Sequence, residues 1–364
     1  MRGLVLLVAA AGCTNHQAPT KAALGAQVFT DQDLSNPPGQ ACTDCHAPEQ
    51  AFRDPESDHS TSAGVLPGRF GPRNAPTAMY ARFVPSLHQD PAAGWVGGLF
   101  WDGRAGTLEQ QAGMPLLNPI EMNNPDQAHV VATVRASKYA DEFRQLYGAK
   151  ALDDVGEAFA HISDALAAYE RTTVFAPFTS KYDRYLAHHG ELTTEELRGL
   201  AIFEDPGRGN CAGCHPSRPS ADGPPLFTNF SYANLGIPKY VNSMFYKQVT
   251  ELNPVGAGYI DHGLMTTLGD PAQDGKFRTP TLRNIARTGP YGHNGYFENL
   301  PYLLDFLNTR DSRSPDPAVK PWAPPEIPAT VDQRVGHLGL GKQDLADLDA
   351  FLETLTDEKS SARP

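Results

Sequence analysis

Cys42-Thr43-Asp44-Cys45-His46 and Cys211-Ala212-Gly213-Cys214-His215 are the two stretches that decide the fold. Both read Cys-x-x-Cys-His, the attachment signature of a c-type heme. Two thiols add across the two vinyl groups of one porphyrin, so they must sit one short turn apart. The His that follows directly brings its imidazole under the iron as the proximal ligand. A lone Cys-x-x-Cys also serves zinc knuckles, redox pairs and disulfides. Composition argues against those uses here. The chain has 5 Cys and 12 His in 364 residues, and random order would supply about 0.002 such strings rather than two.

The strings lie about 170 residues apart, which favours two domains, each wrapped around its own cofactor. We expect a signal and tether over 1–20, one heme domain over 21–190 and a second over 191–364. The apolar share of 40% and charged share of 20% are ordinary for a soluble globular protein. With 33 Gly and 32 Pro, the chain suits a loop-rich protein whose core is partly porphyrin. The formal charge of −12 disfavours nucleic acid and anionic membrane surfaces as partners. It suits a small cationic electron-transfer protein, and it also simply aids solubility.

Four of the five cysteines belong to the two strings, so no disulfide framework remains. The fifth, Cys13, closes an apolar stretch that follows Met1-Arg2. A basic start and about ten apolar residues read as an export signal, too short to span a bilayer. Ala10-Ala11-Gly12-Cys13 resembles a bacterial lipobox, with Ala where Leu is commoner. Cleavage there would leave Cys13 as a lipidated N-terminus on a tether from Asn15 to Thr20. Plain secretion is the alternative. Both place the chain in the periplasm or cell envelope, as c-type heme attachment requires, and the first adds a lipid anchor.

Helical spacing predicts helices over Lys21–Phe29, Asp126–Tyr147, Asp153–Phe175, Leu300–Leu307 and Lys342–Leu355. A further helix opens at Thr107, limited by Pro115 and Pro119. Thr193 with Glu196 three residues on is a capping box, starting a helix that ends near Glu204. Helix, Gly/Pro turn, then Cys-x-x-Cys-His is a grammar used twice. Nothing from Thr14 onward is a transmembrane candidate, and no strand pattern is persuasive. The fold expected is mainly α: two cytochrome c-like domains, each with one covalently attached heme c.

Beyond the two strings, the chain carries Asn74-Ala75-Pro76-Thr77, Trp101-Asp102-Gly103-Arg104-Ala105, Asn118-Pro119-Ile120-Glu121-Met122, and Phe277 to Asn284 followed by Thr288 to Gly295. With these motifs the sequence resembles the bacterial diheme cytochrome c peroxidase/MauG superfamily from about Ala23 to Leu355. The resemblance implies that Glu121 lies over the open face of the N-terminal heme. A carboxylate there moves a proton from the near to the far oxygen of bound H2O2, a role worth ~10²–10⁴-fold. It implies further distal-pocket residues at Gln111 and Pro115, an electron-hopping indole at Trp101, and a Ca²⁺ held through Asn74, Thr288 and Pro290. Oxygen ligands of that kind fit Ca²⁺. Ordinary turn residues are the plainer reading of those three.

Two departures stand out against the resemblance. Peroxidases of the family place a heme-ligating His in the loop after the first string. Here Leu66 falls at that position, and His59, the His of that loop, is seven residues early. We therefore expect an N-terminal heme that is five-coordinate or water-bound and needs no reductive activation; a displaced loop that brings His59 to the iron is the alternative. The family's distal ligand of the second heme, Met or Tyr, falls fourteen residues after His293, at Leu307. Leu cannot ligate iron, so this heme is five-coordinate or takes another side chain. Tyr302, Met265, Met244 and His293 are the candidates.

Two enzymatic outcomes follow. A peroxidase reduces H2O2 with electrons from a small cytochrome c or cupredoxin, relayed through the second heme. A MauG-like enzyme uses H2O2 to oxidise aromatic residues of a dedicated partner protein. A diheme electron carrier, with no use for Glu121, is the non-enzymatic rival.

Overall fold

A computed structural model of the protein describes residues 18–55, 60–221, 223–312 and 320–358. Cys13 and His59 lie outside the described residues, and so does the N-terminal signal. Helices dominate: α1 (Lys21–Phe29), α2 (Cys42–Cys45), α3 (Leu108–Leu117), α4 (Gln127–Ala136), α5 (Ala140–Tyr147), α6 (Val155–Glu170), α7 (Lys181–Leu186), α8 (Thr194–Glu204), α9 (Leu264–Leu268), α10 (Leu300–Thr309) and α11 (Lys342–Glu353). Two short antiparallel ribbons join them. β1 (His88–Asp90) pairs with β2 (Gly94–Val96), Gln89 opposite Trp95. β3 (Tyr232–Ala233) pairs with β4 (Phe277–Arg278), Tyr232 opposite Arg278. These strands of two or three residues are too short to leave a period in the sequence.

Three expectations are corrected by the backbone. The stretch 126–147 is two helices, because Ser137 turns extended (ψ 160°) and closes α4 before α5 opens. α3 runs through Pro115 to Leu117. A proline this near the end of a helix removes one hydrogen bond, and the turn beyond it reuses the chain: Asn118 N–H donates to the Pro115 carbonyl at 3.2 Å. Strands exist where none was expected. The Thr193 capping box forms as read, with Glu196 N–H to Thr193 Oγ1 at 3.3 Å and Thr193 N–H to Glu196 Oε2 at 2.7 Å.

The apolar residues gather into two large clusters. One spans Leu24 to Ala176 and the other Tyr182 to Leu355. Each is built on the same crossing. α1 packs against α6, and α8 packs against α11. Both crossings are so close that only glycine fits. A Cβ on Gly25 would stand 1.9 Å from the Ala165 carbonyl oxygen, and one on Gly199 would stand 2.0 Å from that of Asp347. The helix leading into each Cys-x-x-Cys-His string is thereby pinned to the last helix of its half.

Candidate heme-binding sites

The two strings fold alike. In the first, α2 carries Cys42 and Cys45, and His46 closes the turn by donating its N–H to the Cys42 carbonyl at 2.8 Å. In the second, Cys211–Gly213 form a 3₁₀ turn, and His215 N–H returns to the Cys211 carbonyl, again at 2.8 Å. Each imidazole is held from behind by a carbonyl. His46 Nδ1 lies 3.0 Å from the Phe52 oxygen, and His215 Nδ1 lies 2.7 Å from that of Phe227. A carbonyl accepts, so Nδ1 carries the proton and Nε2 keeps its lone pair. Burial pulls both imidazoles below their ordinary range, His215 to about 4. The shift favours the neutral imidazole that a metal-ligating His needs.

Both carbonyls are presented by one device. Phe52 and Phe227 sit in the left-handed region, at φ 53° and 52°. A Pro-Thr pair braces each. Thr77 Oγ1 donates to the Ala51 carbonyl at 2.6 Å and Thr281 Oγ1 to that of Leu226 at 2.7 Å. The next residues, Ala78 and Leu282, give their N–H groups to the Phe carbonyls at 3.1 and 3.3 Å. Three residues beyond each Thr the chain again turns left-handed, at Tyr80 and Asn284, both at φ 63°. The sequence showed the paired strings but not this paired brace. The signal was there, in Pro76-Thr77 and Pro280-Thr281.

Cys42, Cys45, Cys211 and Cys214 form no disulfide with one another. Burial pushes Cys42 and Cys211 up to about 12 and raises Cys45 and Cys214 as well. These thiols, beside a His whose Nε2 is unengaged, fit covalent attachment to a porphyrin. No group of three or more His, Cys, Asp or Glu residues fit for a metal ion occurs among the described residues.

The elements expected over the first string are α3 and the turn that follows. Gln111 and Pro115 are four apart, on one face of α3, and both are half-buried. The Asn118 side chain then shapes the turn, accepting from Ile120 N–H at 2.9 Å and donating to Glu121 Oε1 at 2.8 Å. The loop after the string clamps this turn from the other side. Val65 N–H donates to the Glu121 carbonyl at 2.9 Å. Gly64 touches so closely that a Cβ would lie 1.8 Å from the Ile120 oxygen. Burial raises the Glu121 carboxyl above its usual range, against Arg104 and the Asn118 amide, which pull it down. Its charge in turn acts on the Cys45 thiol.

A second buried acid was not foreseen. Glu170 ends α6 and is pushed up to about 8 by burial, with Arg171 opposing. Its charge acts on Cys42. Glu170 follows Ile162 and Leu166 by eight and four residues, on the apolar face, a weak signal against the usual solvated reading of a Glu at a helix end.

The second string opens on a cavity of about 250 Å³. His215, Cys211 and Cys214 line it, together with Trp101, His293 and Leu307. Trp101 stands at the seam between the halves. Its Nε1 donates to the Asn74 carbonyl at 2.8 Å, and its own carbonyl accepts from Arg278 N–H at 2.9 Å. Asn74, Thr288 and Pro290 meet along the same cavity. The Asn74 amide donates to the Pro290 carbonyl at 2.7 Å, and Asn74 N–H donates to that of His293 at 2.7 Å. His293 is fully enclosed, its ring flat on Phe277 with centroids 3.6 Å apart, and neither ring nitrogen has a partner. A polar ring left unpaired in an apolar wall is the mark of a site built for a further group. Tyr302, Met265 and Met244 are not among the lining residues.

The sequence profile described as "Di-haem cytochrome c peroxidase" matches residues 19–191. The methylamine utilization protein MauG of Paracoccus denitrificans is 41% identical over 373 residues, covering 98% of this chain and 94% of that protein. The chain belongs to the di-haem cytochrome c peroxidase/MauG family. Another member, the cytochrome-c peroxidase IdrP1 of a Pseudomonas species, is 28% identical and covers 94% of this chain and 82% of its own. The crystal structure of the diheme peroxidase BthA from Burkholderia thailandensis superposes with a TM-score of 0.78 at 32% identity, over 94% of this chain and 87% of that one. Membership brings heme cofactors and oxidoreductase chemistry on H2O2, and relatives of both the peroxidase and the MauG kind are present.

Proposed function

We propose that the protein is an exported diheme c-type peroxidase that reduces H2O2 at the heme held by Cys42, Cys45 and His46. Electrons from a small cytochrome c or cupredoxin reach it through the heme held by Cys211, Cys214 and His215. Heme-domain boundaries near 190 and 191, a lipidated Cys13 and a Ca²⁺ bound by Asn74, Thr288 and Pro290 complete this reading. The observation that carries it is the Glu121 carboxyl, raised by burial and fixed by Asn118 on the turn that the loop after the first string clamps. The bound heme supplies the iron and the electrons, and the chain supplies positioning and protons. His46, its Nδ1–H fixed on Phe52, offers Nε2 to the iron. Gln111 and Pro115 shape the space above. Glu121, held by Asn118, takes a proton from one peroxide oxygen and returns it to the other. Trp101, tied to Asn74 and Arg278, gives an aromatic step across the seam.

Glu121→Gln keeps the hydrogen bond to Asn118 but cannot exchange a proton. Its rate of H2O2 consumption should fall by about 10²–10⁴-fold with the heme count unchanged. A rate within about threefold of the parent would remove Glu121 from the reaction.

A second reading is favoured by one observation. The MauG of Paracoccus denitrificans is 41% identical to this chain, whereas the peroxidase IdrP1 is 28% identical. On this reading the oxidising equivalents go to aromatic residues of a partner protein. Diferric protein mixed with one equivalent of H2O2 separates the two. A long-lived oxidised spectrum formed without reductant supports the MauG-like route, and a requirement for prior reduction supports the peroxidase.

A further inference from the structure

Leu300, Leu303, Leu304 and Leu307 of α10 all line the cavity of the second string. Their spacing is one complete face of a helix. Leu348 and Leu352 of α11 extend the same wall. A run of six leucines presents no lone pair to a metal and no N–H or O–H to a ligand. The thioether and phenol groups on the cavity are already engaged, Tyr80 hydroxyl by donating to Asp357 at 2.7 Å. Met79 sulfur accepts from Asn284 Nδ2 at 3.3 Å, and Tyr291 hydroxyl donates to the Ile285 carbonyl at 2.6 Å. Tyr302 is 39% exposed, against Trp322 and Phe297. His293 is the one unengaged ligand-type side chain among the lining residues other than His215 and the two cysteines. Its backbone is tied to Asn74 at the seam, and Asp261 and Arg73 act on its ring. It belongs to the seam rather than to the leucine wall.

We propose that α10 gives no ligand to the iron held by His215, and that the leucine-walled cavity is a second binding site, for small neutral diatomic molecules such as CO or NO. The proposal rests on the reading that Cys211, Cys214 and His215 hold a heme. Its selectivity follows from desolvation. A neutral diatomic loses little on leaving water, whereas an anion against the α10 and α11 leucines meets no donor to replace its hydration. Near the first string, Gln111 and Glu121 are polar groups in place of such a leucine face. The two sites should therefore differ in which ligands they accept.

The test uses the holoprotein and reads ligand stoichiometry. A heme count by pyridine hemochromogen comes first. Two hemes per chain establishes the underlying reading, and one heme overturns it separately. Dithionite-reduced protein is then titrated with CO. Leu307→Met is close to volume-conserving and restores a ligand on α10; Leu307→His is a second variant of different reach. The expected result is one equivalent less of CO bound per chain in the variants than in the parent, with His293→Ala unchanged. No loss in either Leu307 variant overturns the proposal, and a gain of one equivalent in His293→Ala identifies His293 as the ligand instead. Azide titration of the ferric protein tests the ligand class. Parent and Leu307→Met should take up equal amounts, and an excess in the parent would overturn the preference for neutral molecules.

Discussion

Glu170 shows what one buried carboxyl does to the stability of the protein. Its folded value is raised by burial to about 8 from an ordinary 4.5. Between those values the folded chain keeps a proton that the unfolded chain has released. Stability therefore falls as pH rises through this window, by on the order of a few kcal/mol across it. Glu170→Gln is permanently neutral and should lose that slope. Urea midpoints of parent and variant should lie close at pH 5, with the variant clearly higher at pH 8. Parallel midpoints at both pH values would mean that Glu170 is charged in the folded protein. At this scale the sequence was partly legible. Glu121 stood out because Asn118-Pro119-Ile120-Glu121-Met122 framed it, and Cys42, Cys45, His46, Cys211, Cys214 and His215 because their strings are self-contained. Glu170 did not, since a Glu before Arg171 at a helix end reads as solvated until the packing of α6 on α1 is known.

The repeated brace makes a sharper prediction at the scale of elements. Thr77 and Thr281 each donate to the carbonyl before the Phe and accept from the N–H two residues on, Met79 at 3.0 Å and Arg283 at 3.1 Å. Valine keeps the shape and loses both bonds. Thr77→Val and Thr281→Val should each cost about 1–3 kcal/mol, since a buried carbonyl and N–H are left short of partners. The Phe carbonyl behind each imidazole is also loosened, and outer partners of this kind tune a metal's basicity and potential. Thr77→Val should then move only the potential of the His46 heme, and Thr281→Val only that of the His215 heme. Spectroelectrochemistry resolves the two, and equal movement of both hemes by either variant would refute the independence of the braces. The helices themselves were legible where a cap or a run of apolar spacing marked them, as at Thr193 and over α6. The brace was not, because its partners lie 26 and 55 residues apart in sequence. The break between α4 and α5 was hidden for a different reason: the apolar spacing continues straight across Ser137.

At the scale of the whole molecule, one guanidinium ties the halves together. Arg73 precedes Asn74, Asp102 follows Trp101, and Asp261 belongs to the second half. Arg73 reaches Asp102 at 2.7 Å and grips both oxygens of Asp261 at 2.7 Å each. Its side chain is 13% exposed and both carboxylates are 5% exposed. The pair is therefore buried, and the Arg73 charge keeps Asp261 ionised below the usual carboxylate range despite the burial that opposes it. Nothing in the sequence pairs residue 73 with residue 261. The tie became visible only once the fold had brought the Trp101 and Asn74 motifs to one seam. Arg73→Met removes the cation and strands Asp261, while Asp102 keeps Arg104 at 2.8 Å. The loss should be about 3–5 kcal/mol, the cost of an unpaired buried charge. Adding Asp261→Asn to Arg73→Met should restore a large part of it, because the stranded charge is then gone. A double-mutant cycle on urea midpoints measures this coupling. Additive losses would show that Asp261 draws its support from elsewhere. A recovered double variant would show that the charge itself, rather than the packing of Arg73 on Phe277, locks the seam in which Trp101 sits.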